Sequence, residues 1–285
     1  MNMITNRYTL RRTEVNAIDA AMLREVEQRS MGDSDYSVDE VLALLRRPEQ
    51  YAYLAVSGDE SAAVGFVSCI ETPTGNGVTR LEIDMLGVVP EHRRRGLALA
   101  LVTRAMDDAV QRGVRRFRGI VAVDNDASRR VFRRAGFAES PDLYQLVTYD
   151  VLGLSPVPFL PWRWSLYTLT EGGGTSPAGG APFRATGPGR EVHQLQAAGG
   201  ATVALAEVLQ VHTLAYRGLW VERLWWSSDA ALEVMARGLV ERAKELELDM
   251  VSRLWPLGRD ERVLPRMVSL GYQLVGEYRG QEATR

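Results

Sequence analysis

The chain has 285 residues, 46% of them apolar and 25% charged, with a formal net charge of −2. That is the length of one large domain or two ordinary ones, and the composition of a folded rather than a disordered chain. The near balance of charge argues against nucleic acid as a main partner, because phosphate binding needs a basic surface.

One cysteine, Cys69, leaves no disulfide framework within the chain and points to a reducing compartment. The N-terminal MNMITNRYTLRRTEVN has no apolar core like that of a signal peptide. No apolar run approaches the ~18 residues of a membrane span. The expectation is a cytoplasmic, soluble protein with no membrane partner.

Residues 1–150 alternate strand-like and helix-like patterns. YTLRRTE (8–14) reads as a short strand, and 16–30 and 37–47 carry helical spacing, with Ser37 and Glu40 as a capping box. YAYLAVSG (51–58) and AAVGFVSCIE (62–71) read as a hairpin turning at Gly58 and Asp59. VTRLEIDMLGVV (78–89) alternates with period two, Leu81, Ile83 and Met85 against Glu82 and Asp84. GLALALVTRAMDDAVQRG (96–113) places Leu97, Leu101, Ala105 and Ala109 along one helical face. FRGIVAV (117–123) is a buried-strand candidate, ASRRVFRRAGF (127–137) a short helix ended by Gly136, and LYQLVTYDV (143–151) a final strand. Residues 151–188 are rich in Pro and Gly and read as a linker, although PWRWSLYTLT (161–170) inside it has a strand-like pattern. Residues 189–285 resume regular patterning. All six Trp lie beyond residue 160, which suits core packing or an interface.

The stretch VVPEHRRRGLA (88–98) puts a Pro, three arginines and a Gly where a strand gives way to an amphipathic helix. The first N–H groups of a helix lack partners and carry the positive end of its dipole. A Gly at the entry admits a ligand close to the backbone, and flanking arginines add charge. The combination suits a phosphate or pyrophosphate.

Arg93-x-x-Gly96-x-Ala98 after a strand resembles the acetyl-CoA loop of the GCN5-related N-acetyltransferase (GNAT) family. NDASRRVFRRAGF (125–137) resembles that family's second signature: an Asn, a helix, an aromatic, then Gly-Phe. The resemblance covers roughly residues 1–150. It implies an α/β (α+β) fold with a mixed, mostly antiparallel sheet flanked by helices, and acetyl-CoA as co-substrate with no metal. It further implies that the loop Arg93, Arg94, Arg95, Gly96, Leu97 and Ala98 holds the pyrophosphate through its backbone N–H groups. Leu86, Val88 and Val89 would run beside the pantetheine, the N–H near Val88 acting as an oxyanion donor. Asn125, Ser128 and Phe132 would lie along the same ligand.

The chemistry so implied is attack of an amine on a thioester, and an ammonium must first lose a proton. Glu82 and Asp84 share one face of the strand entering the loop and are the candidate bases. His92 sits in the pyrophosphate turn, on the wrong side for a base. The helix aromatic that is often Tyr in the family is Phe132 here, which has no proton to give; Tyr144 is a substitute acid. A thiol pKa of about 8.5 makes CoA a fair leaving group unaided.

Sliding the sequence by 135 residues gives a second, weaker match, so that Gly136-Phe137 meets Gly271-Tyr272 and helix 96–113 falls on 230–247. In that register Arg93 becomes Ser228, Gly96 becomes Ala231, Asn125 becomes Asp260 and Glu82 becomes Arg217. The expectation is two tandem domains of one fold: residues 1–150 with the acetyl-CoA site, a linker at 151–188, and a degenerate domain at 189–285 without one. The second half would pack on the first, wall the acceptor site, or form a homodimer. The acceptor is expected to be the primary amine of a small molecule. Acidic residues around the first two helices (Glu14, Asp19, Glu25, Glu27, Asp33, Asp35, Asp39, Glu40) would suit a cationic one. The alternatives are a protein or peptide N-terminal acetyltransferase and a non-catalytic acyl-CoA sensor or scaffold.

Overall fold

The computed structural model describes residues 7–32, 36–74, 77–153, 167–171, 179, 182–185, 187–214, 217–258 and 262–285. The first half runs β1 (Tyr8–Arg12), α1 (Ala17–Met31), α2 (Val38–Leu45), β2 (Gln50–Ser57), β3 (Ala63–Pro73), β4 (Thr79–Val88), α3 (Leu97–Gln111), β5 (Arg116–Ala122), α4 (Asp126–Arg134), β6 (Ala138–Glu139) and β7 (Tyr144–Asp150). The second runs β8 (Tyr167–Glu171), β9 (Arg190–Ala197), β10 (Thr202–His212), β11 (Arg217–Trp226), α5 (Asp229–Glu245), β12 (Met250–Pro256), α6 (Val263–Ser269) and β13 (Gln273–Thr284). Strand β8 lies within the Pro/Gly-rich stretch and pairs with β9. Residues 161–166, the start of the strand-like segment there, lie outside the described residues, as do Asp33, Asp35 and Asp260.

Local chemistry explains most boundaries. Asn16 caps α1 by accepting the Asp19 N–H at 2.8 Å. Ser37 and Glu40 form the expected capping box on α2. Gly136, at φ +94°, supplies the left-handed residue that ends α4. Strand β3 is buried along nearly its whole length because it packs against α1 and α3. Among the described residues no helix is long and apolar enough to cross a membrane.

All thirteen strands join one sheet, in the order β1-β2-β3-β4-β5-β13-β7-β12-β11-β10-β9-β8, with β6 on β13. The two halves share a scheme: an antiparallel hairpin leading to a strand (β4, β11), a helix (α3, α5) and a parallel partner (β5, β12). They exchange their last strands. The final strand of the first half, β7, pairs with β12 of the second through Met250↔Asp150 to Pro256↔Tyr144. The final strand of the second, β13, pairs with β5 of the first through Tyr278↔Ala122 to Thr284↔Arg116. The cores follow the exchange. Val147 and Tyr149 of β7 belong to the second half's apolar cluster, whereas Ala283 of β13 packs against the first half's.

Two β-bulges correct the residue pairing of the internal repeat. In the first half the register skips Asp84 between Ser68↔Met85 and Cys69↔Ile83. In the second it skips Glu222 between Glu207↔Arg223 and Val208↔Val221. Asp84 and Glu222 are therefore equivalent, and Glu82 corresponds to Trp220 rather than to Arg217. A uniform slide misaligns this strand because the turn from β11 to α5 is shorter than that from β4 to α3.

Glu222 now serves the junction. It receives Arg190 Nη2 at 2.8 Å and Arg80 Nη2 of β4 at 3.3 Å. Arg190, wholly buried, also pairs with Glu207 and donates to the Pro73 carbonyl. Removing one partner of such a network leaves a buried charge uncompensated.

Because β7 completes the second half's sheet on β12 and β13 completes the first half's on β5, neither half closes alone. A chain ending at Asp150 is expected to aggregate, and co-expression with 151–285 to recover soluble protein. Size-exclusion chromatography reads the result, and a soluble monomer of 1–150 with a cooperative melt would contradict it.

Candidate active site

Strands β4 and β5 pair in parallel only from Arg80↔Arg116 to Ile83↔Gly119. Beyond Ile83 they separate, and a cavity of about 610 Å³ lies between the end of β4, the start of α3 and one face of α4. On β4, the Val89 N–H donates to Val64 of β3 at 3.0 Å. Alternation along an antiparallel strand then turns the Val88 and Leu86 N–H groups away from β3, toward the gap. Arg93 Nε donates to the Val88 carbonyl at 2.9 Å from that same side, and Arg93 Nη2 to the Ser30 carbonyl at 3.1 Å.

The loop's conformation depends on two left-handed residues, Arg94 at φ +61° and Gly96 at φ +81°. Gly96 is the N-cap of α3 and offers no side chain to its first N–H groups, so these remain open for a ligand. The cavity is lined by Leu86, Val88, Arg93, Arg94, Gly96, Leu97, Ala98, Asn125 and Ser128, all expected from the sequence. Three expected residues are elsewhere. Val89 is buried in the core. Arg95 turns back to Tyr8 Oη at 2.6 Å and the Glu91 carbonyl at 2.9 Å. Phe132 packs on β5, where a Cβ at Gly119 would collide with its ring, and edge-on to Phe137. Asn125 also has a structural task, capping α4 by accepting the Ser128 N–H at 3.0 Å.

Sequence reasoning passed over Arg130 and Arg134 of α4, which line the cavity at i, i+4 spacing. With Arg93 and Arg94 they make four lining arginines for which no ion pair is formed among the described residues, Arg93 being held by carbonyls. His92 also lines the cavity, with Nδ1 2.9 Å from Tyr8 Oη and Nε2 2.7 Å from Glu60.

The two candidate carboxylates differ sharply. Glu82 is held by Arg80 and by Arg118 at 2.9 Å. Burial alone would raise its pKa, but Arg118 and Arg80 outweigh burial and hold it below the ordinary range. Asp84 Oδ2 is buried with no hydrogen-bond partner. Burial pushes the Asp84 carboxyl up to about 7, opposed by a hydrogen bond from Thr213 and reinforced by Glu82 and Glu27. Tyr144 lies outside the large cavity. It lines a separate one of about 240 Å³ with Arg80, Arg118, Trp220 and Glu222, because β7 has moved away from β5 in the strand exchange. Its hydroxyl is 3.4 Å from Asp142.

The acidic residues near the first two helices do not form one surface. Asp19 is clamped by Arg11 at 2.6 Å, Glu27 is buried, and Glu40 is spent in the capping box. Among the described residues no group of three His, Cys, Asp or Glu side chains is arranged to hold a metal ion.

In the second half the corresponding features are closed. Ser228 caps α5 with its own hydroxyl, accepting the Ala231 N–H at 3.3 Å. Pairing of β11 with β12 ends at Trp220↔Ser252. The gap beyond is bridged by Arg253, whose Nη1 donates to the Val221 carbonyl at 3.0 Å, and filled by Trp226 and Trp255 with ring centroids 5.6 Å apart.

Comparison with known proteins follows this division. Residues 18–137 match the acetyltransferase (GNAT) family. N-alpha-acetyltransferase 30 of Schizosaccharomyces pombe is 28% identical over 96 residues, which are 34% of this chain and 63% of that protein. A GCN5-related N-acetyltransferase from Sphaerobacter thermophilus superposes with a TM-score of 0.60 at 14% identity, over 98% of this chain and 96% of that one. A tandem GNAT protein from the clavulanic acid biosynthesis pathway gives 0.58 at 16% identity, over 97% and 98%. A chain with the glucosamine N-acetyltransferase region of a fungal multi-domain β-N-acetylglucosaminidase gives 0.60 at 13% identity, over 96% of this chain and 38% of that one. At these identities the structural likeness is one of fold. Residues 18–137 thus match the acetyltransferase (GNAT) family, and across both halves the chain has the fold of a tandem GNAT protein.

Proposed function

We propose that the chain is an acetyl-CoA-dependent N-acetyltransferase acting on the primary amine of a small molecule, with one working site, in the first half. The observation that carries this reading is the pairing of a strand-gap cavity, opening on an uncapped helix, with a buried and partly unpartnered carboxyl at the β4 bulge.

The cavity residues fit acetyl-CoA. The N–H groups at the start of α3, with Arg94, Arg130 and Arg134, would hold its phosphates. The Leu86 and Val88 N–H groups would face the carbonyl oxygen as charge builds on it. When bound, acetyl-CoA supplies the acetyl group as a thioester. Asp84 takes the acceptor's proton, since a base works best with a pKa near the working pH, and Asp84 titrates at about 7. Glu82, pinned between two arginines, fixes the strand instead. No side-chain acid is assigned to the departing thiol. Phe132 has none to offer, and a thiol with a pKa of about 8.5 leaves as the thiolate.

The small-molecule acceptor is favoured because Thr213 of the second half hydrogen-bonds the Asp84 carboxyl, which sets that half beside the candidate base. A second reading, a protein or peptide N-terminus as acceptor, is supported by the name of the Schizosaccharomyces pombe relative. Thiol release from acetyl-CoA with small amines and with free-N-terminus peptides separates these. Turnover of small amines alone supports the first and of peptides alone the second. No turnover despite tight binding would leave a sensor.

Three outcomes follow from the geometry. Gly96→Asp puts a side chain at φ +81° and a carboxylate against the phosphates; calorimetry is expected to show acetyl-CoA binding lost. Asp84→Asn is expected to lower kcat/KM by roughly 10²–10⁴ while acetyl-CoA affinity stays the same; a normal rate would remove Asp84 from the chemistry. The two carboxylates should also move stability in opposite directions. Asp84 is raised from 3.8 to about 7 in the fold, so its ionisation destabilises the protein as pH climbs between those values. Asp84→Asn is then expected to raise Tm at pH 8 and to change it little at pH 4. Glu82 is depressed, so its stabilising effect is present at pH 8 and is lost as pH falls below the ordinary carboxylate range. Glu82→Gln is expected to lower Tm at pH 8. Thermal melts at the two pH values check both signs.

A further inference from the structure

The environment of Asp84 is assembled from several elements. Glu82 shares its face of β4 two residues away, Glu27 comes from α1 and Cys69 from β3. Each of these is acidic or a thiol, and the first two oppose ionisation of Asp84. Arg118 is paired with Glu82, and Arg80 with Glu82 and Glu222. The group that favours the carboxylate is the hydroxyl of Thr213, at the β10–β11 turn of the second half.

That turn is fixed on both sides of Thr213. The Gln50 side chain of β2 donates to the His212 carbonyl, across 162 positions of sequence. Leu214, 2% exposed, is a member of the first half's apolar core. Thr213 itself is 3% exposed. A buried β-branched side chain on an anchored backbone has little freedom to turn away.

We propose that Thr213 is a positioning residue for Asp84: the second half reaches into the first and orients the carboxyl that takes the acceptor's proton. The second half then has a chemical duty as well as a structural one, although its own gap is filled. This rests on Asp84 being the base, and the hydrogen bond itself can be tested without knowing the acceptor. A hydroxyl that donates to a carboxylate stabilises the ionised form and keeps one oxygen in place. The other oxygen, Oδ2, is buried and has no hydrogen-bond partner.

The test is a titration of ¹³C-carboxyl-labelled aspartates by NMR, with Asp84 assigned by Asp84→Asn, in wild type, Thr213→Val and Thr213→Ser. Thr213→Val is expected to raise the Asp84 midpoint by about one unit, the scale of one hydrogen bond to a charged group. Thr213→Ser should return it toward wild type. The acid limb of kcat/KM, with any amine that is turned over, should move the same way. Acetyl-CoA affinity serves as the folding control, since Thr213 is not in that cavity. Should Val unfold the chain, Thr213→Ala makes the same test. An unchanged midpoint in the folded variant overturns the proposal and leaves Asp84 as base if Asp84→Asn still lowers kcat/KM as expected. Absence of turnover by wild type with every amine would sink the enzymatic reading, and the titration would still decide whether Thr213 holds Asp84.

Discussion

A parallel strand pair that opens into a ligand gap must have its outer strand held from the other side, or the edge stays free and the gap has no fixed width. Here that hold comes from the far end of the chain. Strand β13 pairs with β5 over seven residues, and β7, the strand that would have been local, completes the second half instead. The geometry of the β4–β5 gap thus depends on a contact between residues more than 150 positions apart. The Arg190, Glu207, Glu222 and Arg80 cluster ties the two halves together beside it.

The two halves show how one scheme supports two outcomes. Each has a bulge at the same place in its gap-forming strand. In the first half the bulged residue is Asp84, with a buried unpartnered oxygen; in the second it is Glu222, neutralised by two arginines. One helix begins at a Gly that leaves its N–H groups open, the other at a Ser that occupies one of them. One gap is a cavity, and the other holds two tryptophans and an arginine. Closing the second gap converts ligand-binding surface into apolar packing and buried ion pairs, while its hairpin turn still reaches the first half's carboxyl.

Much of this was legible in the sequence because it is local. The Ser37–Glu40 box, the Gly136 cap and the Arg93–Ala98 loop depend on neighbours a few residues away. The unreadable parts are long-range. Nothing in LYQLVTYDV says that it pairs with β12, since a strand's pattern sets which face is buried but not which partner it takes. Tyr144, expected as a substitute acid, therefore lines the smaller cavity and not the one at the start of α3. What separates Glu82 from Asp84 is Arg118, which lies 36 residues away from Glu82 in sequence and reaches it only once β4 and β5 pair. Thr213 carries no motif at all. The Ser228 and Ala231 that stand in place of Arg93 and Gly96, by contrast, are local changes, and they alone support the expectation of a second helix end without an acetyl-CoA site.

The central claim is one working acetyl-CoA site in a chain of two like halves. Isothermal titration of the full-length chain with acetyl-CoA tests it most directly. One equivalent bound per chain is the predicted result. Two equivalents would show that the gap filled by Trp226 and Trp255 opens to ligand, and would contradict the division of labour between the halves.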